Sequence, residues 1–275
     1  KNNVLWILID TPIDKNNNVD LDNFLLRLSK IIEKIKPKNL IISSQIPIGT
    51  IRKIHSDFKF IQNIFYIPEN LRVGNAIESF FNDNRVVVGT LNGKKNNTIS
   101  KIYSNLQKPI KWMSWESAEL SKHAINAWLA NSIVFINELS NIAEKFGCNI
   151  NDVSEALQSE RRIGYQSYLK AGQAYSGGTL ARDIQFLSKI KFSKKRKINY
   201  WSNIQDLNEE RKLWPIYKLK LKFKNYKKLK ILISGLTYKN NTNTLRGSEA
   251  LQLYTWAKKE CAGCIAWEKK YFDSL

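Results

Sequence analysis

Lys122 and Asn126 stand one helical turn apart in an otherwise greasy stretch, Trp115 to Phe146, and Asn137 falls near the same line further on. An amine taken out of water must be paired or put to use, because a buried unpaired charge is costly. Two readings stand side by side. In one, Lys122 sits at the wet end of a helix and Asn126 bonds a neighbouring backbone; in the other, an amine and amides work on a ligand. Further candidates follow short apolar runs: Thr11, Gln45 and Glu69 fall where parallel strands would end, the edge at which open α/β sheets bind ligands. Gly177 and Gly178 mark a turn. Lys239 and Arg246 follow a strand-like run and enter a helix, where basic residues often only face solvent.

The elements that must position these groups can be read from the pattern. Trp115 to Phe146 holds no Pro or Gly, has Glu116 and Glu119 in its first turn and is followed by Gly147, which predicts one helix. At ~1.5 Å per residue it would be roughly 45 Å long, enough to link two lobes or two subunits. Its middle, Ala124 to Ile136, is apolar on nearly all sides and is predicted to be buried. Upstream, NVLWILID (Asn3 to Asp10), NLIISS (Asn39 to Ser44), Ile64 to Ile67 and RVVVG (Arg85 to Gly89) read as strands. Helices are predicted from about Asp20 to Ile35 and after Thr50. Strands alternating with helices argue for a doubly wound parallel sheet. Downstream, Ile150 to Leu157 reads as a short helix. A glycine-containing loop from Arg161 to Asp183 then passes into a helix through Leu187. LKILIS (Leu229 to Ser234) starts a second strand-turn-helix unit, with its helix at Arg246 to Lys259 and a next strand at Ile265 to Trp267.

The net charge of +20 is concentrated in residues 189–230, with fifteen Lys or Arg against three Asp or Glu. Such a block could be a nucleic-acid footprint. No nucleic-acid motif accompanies it, so a solvated lysine-rich surface is the reading adopted, and no nucleic-acid partner is expected. A field of this sign favours anionic ligands such as nucleotide phosphates. Three cysteines suit a reducing, cytoplasmic setting, and the lone Cys261-x-x-Cys264 is a weak motif. Two histidines are too few for a metal site, and none is expected. No apolar run approaches the roughly 20 residues of a membrane span.

Seven motifs, in order along nearly the whole chain, resemble the UDP-glucose/GDP-mannose dehydrogenase family. Thr11-Pro12 is similar to the family's TP after a strand, SQIPIGT (Ser44 to Thr50) to STVPVGT, and PENLRVG (Pro68 to Gly74) to PEFLxEG. Glu119 to Asn126 with Asn137-Glu138 resembles ElxKyxxNa…NE, and Arg162-Ile163-Gly164 resembles DxRIG. GQAYSGGTLARD (Gly172 to Asp183) is similar to GxGYGGSCFPKD, and GLTYKNNTNTLRGS (Gly235 to Ser248) to GLxFKxxTDDxRES. The resemblance implies NAD-dependent oxidation of the C6 alcohol of a nucleotide sugar of the UDP-glucose type to a uronic acid, for polysaccharide or envelope synthesis, by a homodimer built on the long helix. By the same resemblance Lys122 would steady a developing oxyanion, Asn126 would position sugar or water, Asp183 would work with Lys122 on proton transfers, and Glu69 would be a general base. Arg162, Lys239, Gly177 and Tyr175 would contact substrate, Arg162 from the partner subunit. Thr11, Pro12 and Arg246 would face NAD.

The departures carry information too. Thr179 stands where the family has its nucleophilic Cys, and a Thr hydroxyl without a base is a far poorer nucleophile than a thiolate. Gln45, Val73 and Arg182 replace the family's Thr, Glu and Lys, and Asn243 and Thr244 replace aspartates. Three outcomes stay open: one oxidation only, oxidation of a hydrated aldehyde without covalent trapping, or a silent remnant that keeps the helical core. The twelve glycines include no G-x-G-x-x-G, the turn that grips a dinucleotide. The expectation is an internal piece of a longer protein, with a partial NAD-binding Rossmann-like domain over 1–110, a helical central domain over 111–200 and the start of a second Rossmann-like, nucleotide-sugar-binding domain over 201–275.

Overall fold

The computed structural model describes residues 4–11, 20–69, 71, 76–82, 84–176, 178–192, 198–237, 245 and 247–268. Its two compact units, Lys1–Ile125 and Asn126–Leu275, divide inside the long helix.

The first unit runs β1 (Val4–Ile7), α1 (Leu21–Ile35), β2 (Asn39–Ile42), α2 (Thr50–Asp57), β3 (Asn63–Tyr66), α3 (Ala76–Asn82), β4 (Val86–Thr90), α4 (Asn97–Ile102) and β5 (Ile110–Ser114), then enters α5 (Trp115–Phe146). Its sheet has the order β1-β2-β3-β4-β5. All four residues of β2 are buried, as expected of a central strand covered on both faces. Asp20 caps α1 by accepting the Asn23 N–H at 3.1 Å. Phe24, Leu28 and Ile32, spaced four apart, form the helix's buried stripe. They join Leu40, Ile42, Tyr66 and Trp115 in the unit's main core.

The sheet departs from the expected all-parallel arrangement at one place. β1, β2 and β3 are parallel, as are β4 and β5, but β3 and β4 pair antiparallel through Tyr66 and Gly89. An antiparallel neighbour needs no crossover, so the connection after β3 returns the chain to the end of the sheet it has just left. At Gly89 the next layer comes very close, since an added Cβ would lie 2.8 Å from Ala118 Cβ and 3.3 Å from Trp115 Cα. Only glycine lets α5 pack onto β4 at that distance.

The second unit holds the rest of α5, then α6 (Ile150–Ser159), α7 (Thr179–Ser188), α8 (Tyr200–Lys212), α9 (Trp214–Lys222), β6 (Lys230–Ser234), α10 (Glu249–Glu260) and β7 (Gly263–Trp267). β6 and β7 are parallel, and α10 joins them as a βαβ unit. α8 and α9 lie inside the lysine-rich stretch, where the density of charge hid the helical period. Asn199 caps α8 by accepting the Trp201 and Ser202 N–H groups, and Pro215 sits in the first turn of α9. α7 starts at Thr179, so Asp183 is in its second turn and does not close the loop.

The expectation that the middle of α5 is buried holds for Ala127, Ala130, Val134 and Ile136 and fails on one side. Trp128 is 67% exposed, Phe135 46%, Ile142 54% and Phe146 71%. The first three are spaced by seven, which draws an apolar stripe along one face. Among the described residues no helix is long and apolar enough to cross a membrane.

Candidate active site

In the first unit the carboxyl ends of the strands are tied to one another and to α5. The Thr11 hydroxyl donates to the Gln45 carbonyl at 2.5 Å, and the Ser44 hydroxyl to the Ile9 carbonyl at 2.6 Å. Three side chains from adjacent turns of α5 then grip the loops after β2 and β3. Glu119 accepts the N–H groups of Gly49 (2.6 Å) and Ile51 (2.9 Å) at the start of α2, where a helix presents its positive end. His123 Nε2 donates to the Ile46 carbonyl at 2.9 Å. Lys122 Nζ donates to the Glu69 backbone carbonyl at 2.8 Å. Glu119, Lys122 and His123 are all buried. Burial pushes the Glu119 carboxyl above its ordinary range, although both N–H donors pull the other way.

The Glu69 side chain lines a cavity of about 20 Å³ with Phe80, Arg85, Tyr103 and Lys108, room for about one water. The Tyr103 hydroxyl is buried there without a hydrogen-bond partner among the described residues. Burial first, and the Glu69 carboxylate second, hold its proton on well above the usual phenol range.

In the second unit the Asn126 amide donates to a carboxylate oxygen of Asp183, and both side chains are buried. Asp183 is carried by α7, whose Ile184 and Leu187 share a core with Ala127, Ala130 and Val134 of α5 and with Tyr175. Tyr175 is 5% exposed and is part of that core. Asn137, the third polar residue on the α5 line, accepts the Gly172 N–H at 2.9 Å and donates to the Gln173 carbonyl at 3.2 Å. Thr179 is exposed at the first position of α7. Arg162 is also exposed, and its guanidinium pairs with Glu160 at 2.9 Å. Pro12, Gly177, Lys239 and Arg246 lie outside the described residues.

Lys122, Asn126 and Asn137 were found by spacing. His123 was not, although it flanks Lys122 in the sequence. Asn208, Arg211 and Glu249 were missed as well, and these three bond the loop before α7. Asn208 and Arg211 sat in a block read only for its charge. Glu249 lies two residues past Gly247, the position at which the related motif carries its own Glu.

The strand ends that bear Thr11, Gln45 and Glu69, with the Tyr103 hydroxyl that has no hydrogen-bond partner among the described residues in the cavity beside Glu69, form a polar edge that would suit the reactive end of NAD. The glycine turn for its pyrophosphate is not in the sequence.

Residues 1–107 match the model of the UDP-glucose/GDP-mannose dehydrogenase family, NAD binding domain, and residues 116–210 match the central domain of the same family. The chain is 29% identical over 261 residues to UDP-glucose 6-dehydrogenase TuaD of Bacillus subtilis (strain 168), covering 91% of this chain and 56% of that protein. It is 32% identical over 261 residues to UDP-glucose 6-dehydrogenase of Rickettsia conorii (strain ATCC VR-613 / Malish 7), covering 90% and 59%. The chain therefore spans somewhat over half the length of these relatives. Among solved structures, a UDP-glucose dehydrogenase from Pyrobaculum islandicum superposes with a TM-score of 0.83 at 22% identity, covering 96% of this chain and 63% of that one. A UDP-D-ManNAc dehydrogenase from Pyrococcus horikoshii gives 0.80 at 21% identity, covering 96% and 65%. At these identities the superpositions speak for the fold.

Proposed function

Since this chain belongs to the UDP-glucose/GDP-mannose dehydrogenase family, we propose that the protein containing it oxidises the C6 alcohol of a nucleotide sugar, of the UDP-glucose type, to a uronic acid. The observation that carries the reading is a buried amine and a buried amide on successive turns of α5, Lys122 bonded at the carboxyl end of β3 and Asn126 bonded to Asp183. When bound, NAD would supply the acceptor for the hydride from C6. Lys122 supplies positive charge where the alcohol oxygen turns negative, in a dry setting where one such charge is effective. Asp183, fixed by Asn126, takes the hydroxyl proton, and Glu69 activates water for the later hydration of the aldehyde. By the family resemblance we assign Thr11, Pro12 and Arg246 to the cofactor, Lys239 and Gly177 to the sugar, and Arg162 to a partner's site, whereas Tyr175, buried in the core with Ile184 and Leu187, is assigned a packing role.

Thr179 sets the route. At the start of α7 a thiol would be held as thiolate by the helix N-terminus, but a threonine hydroxyl stays protonated and forms no thioester. The second oxidation then proceeds on the hydrated aldehyde. We read residues 1–110 as the NAD-binding part, 111–200 as the helical centre and 201–275 as the opening of a nucleotide-sugar-binding part. The stripe of Trp128, Phe135 and Ile142 supports a homodimer, and three free cysteines suit the cytoplasm. The product serves polysaccharide or envelope synthesis.

The test is product identification by mass spectrometry after incubation of the full-length protein with UDP-glucose and NAD. Wild type is expected to yield the acid with free aldehyde detectable by a carbonyl trap, and Thr179→Cys to suppress the trapped aldehyde. Unchanged UDP-glucose would refute the activity, and equal aldehyde from both proteins would refute the route.

A further inference from the structure

Four consecutive residues of the loop before α7 are held by side chains from three helices. Asn137 of α5 takes the Gly172 N–H at 2.9 Å and donates to the Gln173 carbonyl at 3.2 Å. Arg211 of α8 donates Nε to the Gly172 carbonyl at 2.9 Å and its terminal nitrogen to Asn141 Oδ1 at 3.0 Å. Asn208, nearly one turn earlier on α8, accepts the Tyr175 N–H at 2.9 Å and donates to the Tyr175 carbonyl at 3.0 Å. Glu249, the first residue of α10, accepts the Ala174 N–H at 3.0 Å. Six backbone groups of residues 172–175 thus end on protein side chains, and Asn137, Asn208, Arg211 and Glu249 are all buried.

A glycine-bearing loop next to a helix invites the reading of an anion cradle built from free N–H groups. Here the N–H groups of Gly172, Ala174 and Tyr175 are already bonded, so the segment is a held support. The cost of the holding is informative. A buried carboxylate and a buried guanidinium are poorer sources of stability than apolar residues of the same size. Burial pushes the Glu249 carboxyl up and the Arg211 guanidinium down from their ordinary values. What such groups provide in return is a uniquely fixed backbone.

We propose that Asn208, Arg211 and Glu249 are positioning residues: they clamp Gly172–Tyr175 in one conformation and so fix where α7, with Thr179 and Asp183, begins, and Glu249 ties that setting to α10. The proposal rests on the dehydrogenase reading for its kinetic consequence alone. Tyr175 joins the clamp to α7, since its backbone is in the clamp and its side chain shares a core with Ile184 and Leu187 on the buried side of α7. A loosened clamp moves the start of α7 before it moves anything else. Through Glu249, a displacement of the β6-α10-β7 unit is felt at Ala174.

The experiment uses the full-length protein and compares Asn208→Ala, Glu249→Ala and Glu249→Gln by amide hydrogen exchange and by steady-state kinetics with UDP-glucose and NAD. Exchange at Tyr175 in Asn208→Ala and at Ala174 in Glu249→Ala is expected to quicken about tenfold, the loss of roughly one hydrogen bond to a buried group. kcat is expected to fall about tenfold with KM for NAD unchanged. Glutamine keeps an acceptor oxygen for the Ala174 N–H and is expected to restore both quantities at position 249. If Asn208→Ala does not fold, Asn208→Asp keeps the acceptor for Tyr175 N–H, removes the donor and is expected to quicken exchange in the same segment. Unchanged exchange in the alanine variants overturns the clamp, as does quickened exchange with unaltered kcat, or a glutamine variant no better than alanine. A wild type without turnover would instead sink the dehydrogenase reading, and exchange would still decide whether the clamp exists.

Discussion

Glu119 shows how a single buried side chain can fix a loop at the strand ends. It seats the start of α2 through two backbone N–H groups, three residues before Lys122 on the same helix. Its carboxyl is harder to ionise in the folded protein than in the unfolded chain, because burial dominates. As pH rises past the ordinary Glu range, the unfolded chain loses its proton first, and stability falls until the raised folded value is passed. Glu119→Gln is therefore expected to lose this part of the decline in Tm across weakly acidic pH. A variant profile as steep as that of wild type would contradict the assignment. At this scale the sequence was most legible where a polar residue broke an apolar pattern, as at Lys122, Asn126 and Asn137. It was least legible at Asn208, Arg211 and Glu249, which stand among other polar residues, where one more polar side chain breaks no pattern.

The long helix α5 was legible end to end, since it holds no breaker and is bounded by Gly147. What its sequence does not show is how closely it packs on β4. That contact depends on the missing side chain of Gly89, which from sequence alone is simply the last residue of RVVVG. Gly89→Ala is expected to destabilise the first unit by about 1–3 kcal/mol, the usual range for overpacking, measured by denaturant unfolding. Adding Ala118→Gly removes the atom that an added Cβ meets at 2.8 Å and should recover part of the loss. Additive losses in the double variant would show that the close approach is not the cause. The reversal between β3 and β4 was illegible for a different reason. Apolar runs record burial, and burial is the same for either strand direction.

At the scale of the whole molecule, the stripe of Trp128, Phe135, Ile142 and Phe146 remains outside either unit's core. A single chain leaves these side chains in water, where an apolar patch of this kind is expected to attract a second surface. Phe135→Glu is expected to convert a dimer to monomer in sedimentation velocity without changing the circular dichroism spectrum. A dimer of unaltered affinity would remove α5 from the interface. The middle of the helix was read as buried, and in the single chain Trp128 and Phe135 on one of its faces are exposed. Sequence order along seven motifs pointed to the family even though no single motif was strong, and the βαβ unit at β6-α10-β7 appeared where those motifs put it.

Under the proposed function the Lys122 amine supplies the charge on which alcohol oxidation depends. The most direct measurement is NADH formation from UDP-glucose and NAD by the full-length protein, wild type against Lys122→Ala, with NAD affinity measured in parallel. The variant is expected to lose about 10²–10³ in kcat while binding NAD as wild type does, and a Lys122→Ala protein that turns over normally would contradict the account.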